Sequence, residues 1–496
     1  MDRPNILIFM TDQQRGDTAL AGSPAHMPNL ARMRSEGVTF SNAFCPAPHC
    51  CPSRATFHTG LYPSEHGVWN NVDVGNALSR GLAPGTRLWS DDLREAGYAL
   101  SFSGKWHISA VETPADRGWQ MGFPEPRPTV SAEEVASGRP HTREWAMYER
   151  LAGQPEAAVR HEGEILRPGY GTYTHYGTSP HAIVEFDEHT VEDAFRVIHG
   201  RRVSEGPWCQ FVGTLGPHDP YFAPADFVGR YDPGDVRLPD NFGDRMEDKP
   251  ALYRRTRDRF DQLSEREHRE ALRHYLAFCS YEDALFGRLL GALEERGELD
   301  RTLVIYLSDH GDYGGEHGLW CKGLPCFRSA YHVPAVIRWP DGIREPGRVV
   351  DAFVSLADFA PTLLEAAGIG AGRPLSGQSL MPFLRDEPPA QWRDALFTQT
   401  NGNELYGIQR SVMTREWKYV YNGFDYDELY DLRNDPGETR NVIGDPAHAD
   451  VVRELCARMW EFAHAHRDVC INPYIMVAHA PVGPAAAFGE FRRHGT

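Results

Sequence analysis

Four stretches of the chain read as buried strands: residues 5–10 (Asn5-Ile6-Leu7-Ile8-Phe9-Met10), 98–103, 208–215 and 302–308. The first and last are continuous apolar runs, the pattern of strands covered on both faces in a parallel sheet. Helical spacing falls between them, at 28–37, at 88–96 with a stop at Gly97, near 185–199, and at 265–295. The last of these carries Leu272, Tyr275, Leu276, Cys279, Phe286, Leu289, Leu290 and Leu293 on one stripe, which marks a core helix. Residues 38–43 predict a connecting strand or loop, 333–339 a further strand and 356–367 a helix. This alternation predicts an α/β chain with a large mixed, mostly parallel sheet sandwiched by helices.

The pattern changes after a Pro-rich connection near 382–389. Residues 396–398, 406–412, 417–421 and 428–432 read as short antiparallel strands, and 447–466 as a helix. The expected organisation is a large domain over 1–385, a small α+β subdomain over 386–466 and a tail over 467–496. The tail lacks an evident core and is expected to dock on a neighbour or reach another subunit in a homo-oligomer. Residues 112–202 lose clear periodicity and predict long loops.

Polar residues stand where the strands end: Asp12 and Gln13 after the first, Lys105 and His107 after the second, His218 after the third, Asp309 and His310 after the fourth. Open α/β sheets collect ligands beyond the carboxyl ends of their strands. Each residue also has an ordinary reading: Asp12 as a helix cap, Lys105 as a solvated cation, His107 as a packed ring, His218 as an incidental turn residue. Strand alternation puts Lys105 and His107 on one face and Trp106 on the other.

The segment Cys50-Cys51-Pro52-Ser53-Arg54-Ala55-Thr56-Phe57-His58-Thr59-Gly60 predicts a helix that begins at Pro52, because Pro has a helical φ and lacks the N–H that a first-turn residue leaves unpaired. Cys50 then lies just ahead of the helix, where the macrodipole favours an anion, and Arg54 can face the same spot. A buried cysteine near a helix cap is the alternative.

Composition narrows the function. A net charge of −18 argues against general nucleic-acid binding and requires a locally positive pocket for any anionic substrate. The nine cysteines are an odd number without zinc-ribbon or disulfide-framework spacing, which fits a reduced compartment. The apolar run 6–10 is too short for a signal-peptide core or a membrane span, so the expectation is a cytoplasmic protein with no membrane association.

Together these residues carry a resemblance. Cys-x-Pro-Ser-Arg followed by Thr-Gly, Gly-Lys-Trp-His at 104–107, Pro-His-x-Pro at 217–220, Asp-His-Gly at 309–311 and His-Gly-Leu-Trp-x-Lys at 317–322 resemble the type I sulfatases of the alkaline phosphatase superfamily. The resemblance implies an alkaline phosphatase-like sheet and a sulfate monoester substrate of aryl, sugar or small-alcohol type. It implies that Cys50 is oxidised by a formylglycine-generating enzyme to formylglycine, whose hydrated aldehyde is the nucleophile. The spacing to Pro52 and Arg54 selects Cys50, leaves Cys51 as the variable position and excludes Cys45. Asp12, Gln13, Asp309, His310 and position 50 are implied as ligands of one divalent metal, Ca²⁺ first and Mn²⁺ or Mg²⁺ open. Arg54, Lys105 and Lys322 are implied as sulfate contacts, His218 as the acid for the leaving alcohol, and His107 as the base that helps expel sulfate.

Two positions depart from the commonest pattern: Gln13 stands where many members have a second Asp, and His310 where many have Asn. Gln at the first position also occurs in phosphonate monoester hydrolases of the superfamily. A phosphonate monoester or phosphodiester hydrolase is therefore the rival reading, and Lys105 with His107 speaks against it. A non-catalytic binding protein on this fold is the remaining alternative.

Overall fold

The computed structural model describes residues 3–131, 134, 159–169, 171–201, 206–403, 405–469 and 476–487. Its strands, in chain order, are β1 (Asn5–Thr11), β2 (Val38–Phe44), β3 (Ala99–Gly104), β4 (Gln120–Met121), β5 (Glu164–Arg167), β6 (Gly171–Thr174), β7 (Tyr176–Thr178), β8 (Trp208–Gly213) and β9 (Tyr221–Ala223). They continue with β10 (Thr302–Ser308), β11 (His332–Val333), β12 (Ala335–Arg338), β13 (Arg348–Ser355), β14 (Leu396–Gly402), β15 (Tyr406–Met413), β16 (Trp417–Asn422) and β17 (Glu428–Asp431).

The large sheet has the order β11-β2-β12-β10-β1-β8-β3-β4, with β13 beside β2. Strands β10, β1, β8 and β3 are parallel neighbours, and β12 is antiparallel to both β10 and β2. Strand β1 shows why its sequence is continuously apolar. Ile6, Ile8 and Met10 enter one core with Phe57, Trp89, Leu93 and Phe359, whereas Leu7 and Phe9 enter the opposite core with Leu30, Leu289 and Leu293. Both faces are covered by helices, so neither set of alternate positions can be polar. The mostly parallel, helix-sandwiched sheet expected from the sequence is the sheet observed.

The helix Glu265–Glu295 starts at a capping box, in which Ser264 accepts from the Glu267 N–H and Glu267 accepts from the Ser264 N–H. Three details differ from expectation. The helix at the cysteine segment runs Cys50–Thr59 with His49 as its cap, so Cys50 is in the first turn and Pro52 two residues further in. All first-turn N–H groups lack helical partners, and Pro is therefore tolerated beyond the first position. The expected strand at 333–339 is split into β11 and β12, and β13 was not anticipated, because only its last three residues are fully buried.

Strands β14 to β17 form the antiparallel sheet in sequential order, covered by the helix Ala449–Ala465 through Leu455, Cys456, Met459 and Trp460. Within the tail, Val482 accepts a hydrogen bond from Trp460 Nε1 at 2.8 Å, so that segment lies against a helix of its own chain. Residues 470–475 and 488–496 of the expected tail lie outside the described residues. Arg410 on β15 and Asp468 form a buried bidentate pair at 2.6 and 3.1 Å, which ties the end of the last helix to the small sheet. Asp468→Ala leaves that guanidinium buried without its partner, and urea unfolding should show a loss of about 3 to 5 kcal/mol.

Candidate active site

Strand register brings the polar residues together. Thr11 pairs with Ser308, so Asp12 and Asp309 leave adjacent strands at the same level. Met10 and Gly104 both pair with Gly213, which brings the start of the Lys105 loop and the 214–218 segment level with them. Gly104 has a φ of 92°, and a Cβ there would lie 2.0 Å from the Gly213 carbonyl oxygen. Only glycine allows β3 to turn that closely beside β8. The strand ends at Gly104, and His107 has a left-handed φ of 56°. Lys105 and His107 therefore reach the site from a loop rather than by strand alternation.

The first turn of the Cys50–Thr59 helix points its cysteine into this cluster. Cys50 Sγ lies 3.6 Å from Asp12 Oδ1 and 3.3 Å from His310 Nε2. His310 Nε2 is 3.4 Å from Asp12 Oδ1 and 3.7 Å from Asp309 Oδ1. The four donor atoms lie within 4.8 Å of one another, and all four residues are buried. His310 Nδ1 is 2.9 Å from the Gly311 carbonyl, a contact that holds the proton on Nδ1 and leaves the Nε2 lone pair facing the cluster. Two carboxylates, an imidazole lone pair and a thiol converging in this way fit a divalent cation.

Gln13 is placed differently from its expected role. Its N–H donates to Asp309 Oδ1 at 3.1 Å, while its side-chain oxygen accepts from Lys322 Nζ at 2.6 Å and its side-chain nitrogen donates to Asp312 at 2.5 Å. The Gln13 amide thus bridges Lys322 and Asp312 at the rim of the donor cluster.

Cations surround the carboxylates. Arg54 Nε donates to Asp309 Oδ2 at 2.7 Å and Nη1 to the Lys105 carbonyl at 3.0 Å. Arg54 Nη2 is buried, 3.8 Å from Asp12 Oδ2, and makes no hydrogen bond among the described residues, so a donor is left for an anion. Lys105 Nζ donates to Asp12. Burial and Cys50 raise the Asp12 pKa, but Lys105, His218 and Arg54 overcome both and hold it at about 2. Burial would likewise raise the Cys50 thiol, yet Lys105, Lys322 and His310 hold it well below the ordinary thiol value. Position 50 is thus a strongly anion-stabilising place.

Each remaining histidine has a carboxylate behind it. His107 Nε2 is 3.0 Å from Asp73 Oδ1; burial opposes charge on the ring, but Cys51 and Asp73 raise its pKa well above the ordinary value. His218 Nδ1 lies 2.5 Å from the Asp219 carbonyl and 3.4 Å from Asp219 Oδ1, and Lys322 Nζ lies 2.5 Å from Nε2. Burial and Lys322 oppose a proton on His218, whereas Asp219 and Asp12 favour it and prevail. So close an approach of an ammonium to Nε2 suits the neutral ring.

All the residues expected at the site are brought together. The sequence reading missed three that hold them: Asp73, Asp219 and Asp312. Asp219 and Asp312 were visible as acids beside His218 and His310, whereas Asp73 sits in an irregular loop with no local signal. The cluster opens into a cavity of about 850 Å³ lined in part by His218 and Lys322.

A buried cluster of metal-ligand side chains at the strand ends of this sheet, beside a helix that begins at a cysteine, agrees with the class that comparison with known proteins gives, the alkaline phosphatase superfamily. The family described as sulfatase matches residues 4–369, and a second description, N-sulphoglucosamine sulphohydrolase C-terminal, matches residues 315–465. The chain belongs to the sulfatase family, whose members are sulfuric ester hydrolases. It is 28% identical to the choline-sulfatase of Rhizobium meliloti, covering 98% of this chain and 95% of that protein. It is 26% identical to the N-acetylglucosamine-6-O-sulfatase of Bacteroides thetaiotaomicron, covering 94% of this chain and 87% of that one. Among solved structures, the phosphonate monoester hydrolase of Agrobacterium radiobacter matches with a TM-score of 0.73 and 26% identity, over 94% of this chain and 96% of that one.

If the cluster holds a divalent cation, adding that cation to chelator-treated protein should raise its unfolding midpoint. At a free ion concentration one hundred times Kd the gain is about 2.7 kcal/mol. Asp309→Asn should remove most of that cation-dependent rise in differential scanning fluorimetry with calcium, manganese or magnesium, whatever its effect on the metal-free midpoint.

Proposed function

We propose that this protein hydrolyses a sulfate monoester to an alcohol and inorganic sulfate, using formylglycine generated from Cys50 by a maturation enzyme. The observation that carries this reading is the loop after β3, where Lys105 Nζ donates to Asp12, itself 3.6 Å from Cys50 Sγ, and His107 is held by Asp73 at 3.0 Å. A cationic and an imidazole group placed together at the nucleophile suit an anionic sulfuryl group.

Asp12, Asp309, His310 and the side chain at position 50 would hold one divalent metal, with calcium favoured by the hard carboxylate oxygens and manganese or magnesium open. When bound, the metal would supply Lewis-acid polarisation and lower the pKa of a nucleophilic oxygen. Formylglycine at position 50 would supply that oxygen as a hydrated aldehyde.

The chain's own residues do the rest. Arg54, through its spare Nη2, together with Lys105 and Lys322 meets the sulfuryl oxygens and stabilises charge that develops on them. As Lys322 turns from His218 to the substrate, His218 takes a proton on Nε2 and delivers it to the departing alcohol oxygen. His107, braced by Asp73, accepts a proton from the side chain at position 50 as sulfate leaves. Its elevated pKa makes that step more favourable on the alkaline side of neutrality.

Hydrolysis of a phosphonate monoester is the second reading, favoured by Gln13 and by the likeness to the Agrobacterium enzyme. The test is kcat/KM for an aryl sulfate against an aryl phosphonate monoester, with formylglycine at position 50 verified by mass spectrometry of its peptide. Preference for the sulfate is the expected result; preference for the phosphonate would replace the sulfatase reading with the second. Cys50→Ala should abolish turnover in either case while leaving the unfolding midpoint near wild type, and wild-type activity in that variant would defeat the mechanism.

His218→Ala should cost about 10² to 10⁴-fold on an alkyl sulfate and less than about tenfold on 4-nitrophenyl sulfate, whose phenolate needs little protonation. The raised pKa of His218 keeps the acid form populated above pH 6.5, so activity on the alkyl sulfate should fall only as pH rises through that higher value. The same variant should lack this alkaline fall. Equal losses on both substrates would remove the acid role.

A further inference from the structure

Two acids lie buried behind the turn that carries His218. Asp187 belongs to the helix Ala182–Gly200 and Glu282 to the helix Glu265–Glu295, and neither residue is exposed to solvent. Both meet the segment that follows β8. Asp187 Oδ1 accepts from the Leu215 N–H at 2.6 Å, and its Oδ2 accepts from the Gly216 N–H at 2.8 Å. Glu282 packs on the same residue, since a Cβ added to Gly216 would lie 2.2 Å from Glu282 Oε1. Only glycine leaves room for that carboxyl.

The peptide groups held in this way are connected to the chemistry. The Leu215 carbonyl accepts from the His218 N–H at 3.1 Å, and the Gly216 carbonyl accepts from the Asp12 N–H at 3.0 Å. One turn, residues 215–218, therefore ends in the acid of the proposed reaction and is bonded through its middle to a residue of the donor cluster. Asp187 is the side chain that anchors its N–H groups.

A carboxylate oxygen cannot donate a hydrogen bond, so two buried carboxyls converging on one glycine are compatible only when one of them carries a proton. Asp187 is the better place for the charge, because two N–H groups already point at it. Neither oxygen of Glu282 meets a donor at hydrogen-bonding geometry among the described residues, which makes Glu282 the place for the proton. Burial raises the pKa of both. At Asp187 the two N–H groups and Glu282 oppose that rise, whereas at Glu282 the charge of Asp187 adds to it. The other charged groups that face the pair are also acids: Asp12 from the end of β1 and Glu188 on the helix of Asp187. Tyr281, beside Glu282, donates to Glu188 at 2.9 Å. Arg288, which joins the two helices, pairs with Glu188 and Glu192 at 2.7 and 3.0 Å.

We propose that Asp187 and Glu282 are positioning residues for the hydrolysis: sharing one proton, they hold the turn 215–218 so that His218 stands at the leaving oxygen. The inference rests on the preceding reading for the role of His218. A displacement of about 1 Å at a reacting group is enough to cost on the order of 10²-fold in rate, so a loosened turn is expected to show in kcat.

Glu282→Gln separates the hydrogen bond from the proton, because its amide can donate to Asp187 but has no proton to lose. Glu282→Leu supplies neither. Infrared difference spectra of the full-length wild type minus Glu282→Gln, at mildly alkaline pH, should show the carbonyl stretch of a protonated carboxyl; its absence would overturn the shared proton. The kinetic readout is the ratio of kcat on an alkyl sulfate to kcat on 4-nitrophenyl sulfate, with formylglycine at position 50 verified in each protein. Glu282→Leu should lower that ratio by roughly tenfold with little change in KM, because the alkyl ester alone depends on a well-placed acid, and Glu282→Gln should restore it. Should Glu282→Leu fail to fold, Asp187→Asn takes its place: it turns a donor toward one of the two N–H groups, and the same selective loss is expected. Equal losses on both esters would mean a structural role only and would overturn the proposal, as would a Glu282→Gln ratio no better than that of Glu282→Leu. Turnover of phosphonate monoesters in place of sulfates would overturn the preceding reading alone, and the same ratio is then read on the alkyl and 4-nitrophenyl phosphonates. Inactivity on both classes would overturn both.

Discussion

Asp12 and Asp309 end adjacent parallel strands with no exposure to solvent, and two buried carboxylates so close together cannot both stay ionised without compensation. The surroundings of the site follow from that constraint. Arg54 is fully buried because its guanidinium must reach Asp309 and approach Asp12, and that need accounts for an arginine in the first turns of the helix that carries Cys50. Lys105 answers the other face of Asp12. Lys105, which compensates Asp12, also lowers the Cys50 thiol, so compensation for the buried acid also favours an anion at position 50.

Much of this was legible in the sequence because it depends on local rules. The strands β1 and β10 and the helix Glu265–Glu295 have strong signatures: uninterrupted apolar runs, and a helical stripe opened by a capping box and closed by Gly297 at positive φ. The motif residues stood directly after strands, where parallel register then brought them level. What escaped was set by tertiary contact. Asp73 matters only because a distant loop folds beside His107. The rotation of the Gln13 amide toward Lys322 and Asp312 follows from partners some three hundred positions away, and β13 exists through pairing with β2 more than through its own hydrophobicity.

Overall charge and local charge answer different questions in this molecule. The acidic total argues against one class of partner, whereas Arg54, Lys105 and Lys322 make the strand ends locally cationic. The carboxylates behind the histidines serve a matching purpose: Asp73 and Asp219 let His107 and His218 accept protons among so many cations. Burial holds His49 and His58, which lack such support, at a pKa of about 3.

The depth of Cys50 has a consequence in time. Its side chain lies at the bottom of the finished structure, 1% exposed, beneath a helix turn, two strand ends and a lysine. At that depth the thiol is out of reach of a modifying enzyme in the folded protein. On the proposed reading, maturation would come before closure of the sheet around it, and a molecule that folded first would remain a thiol. Folding speed and the supply of the modifying enzyme would then together set what fraction of the chains ever becomes competent.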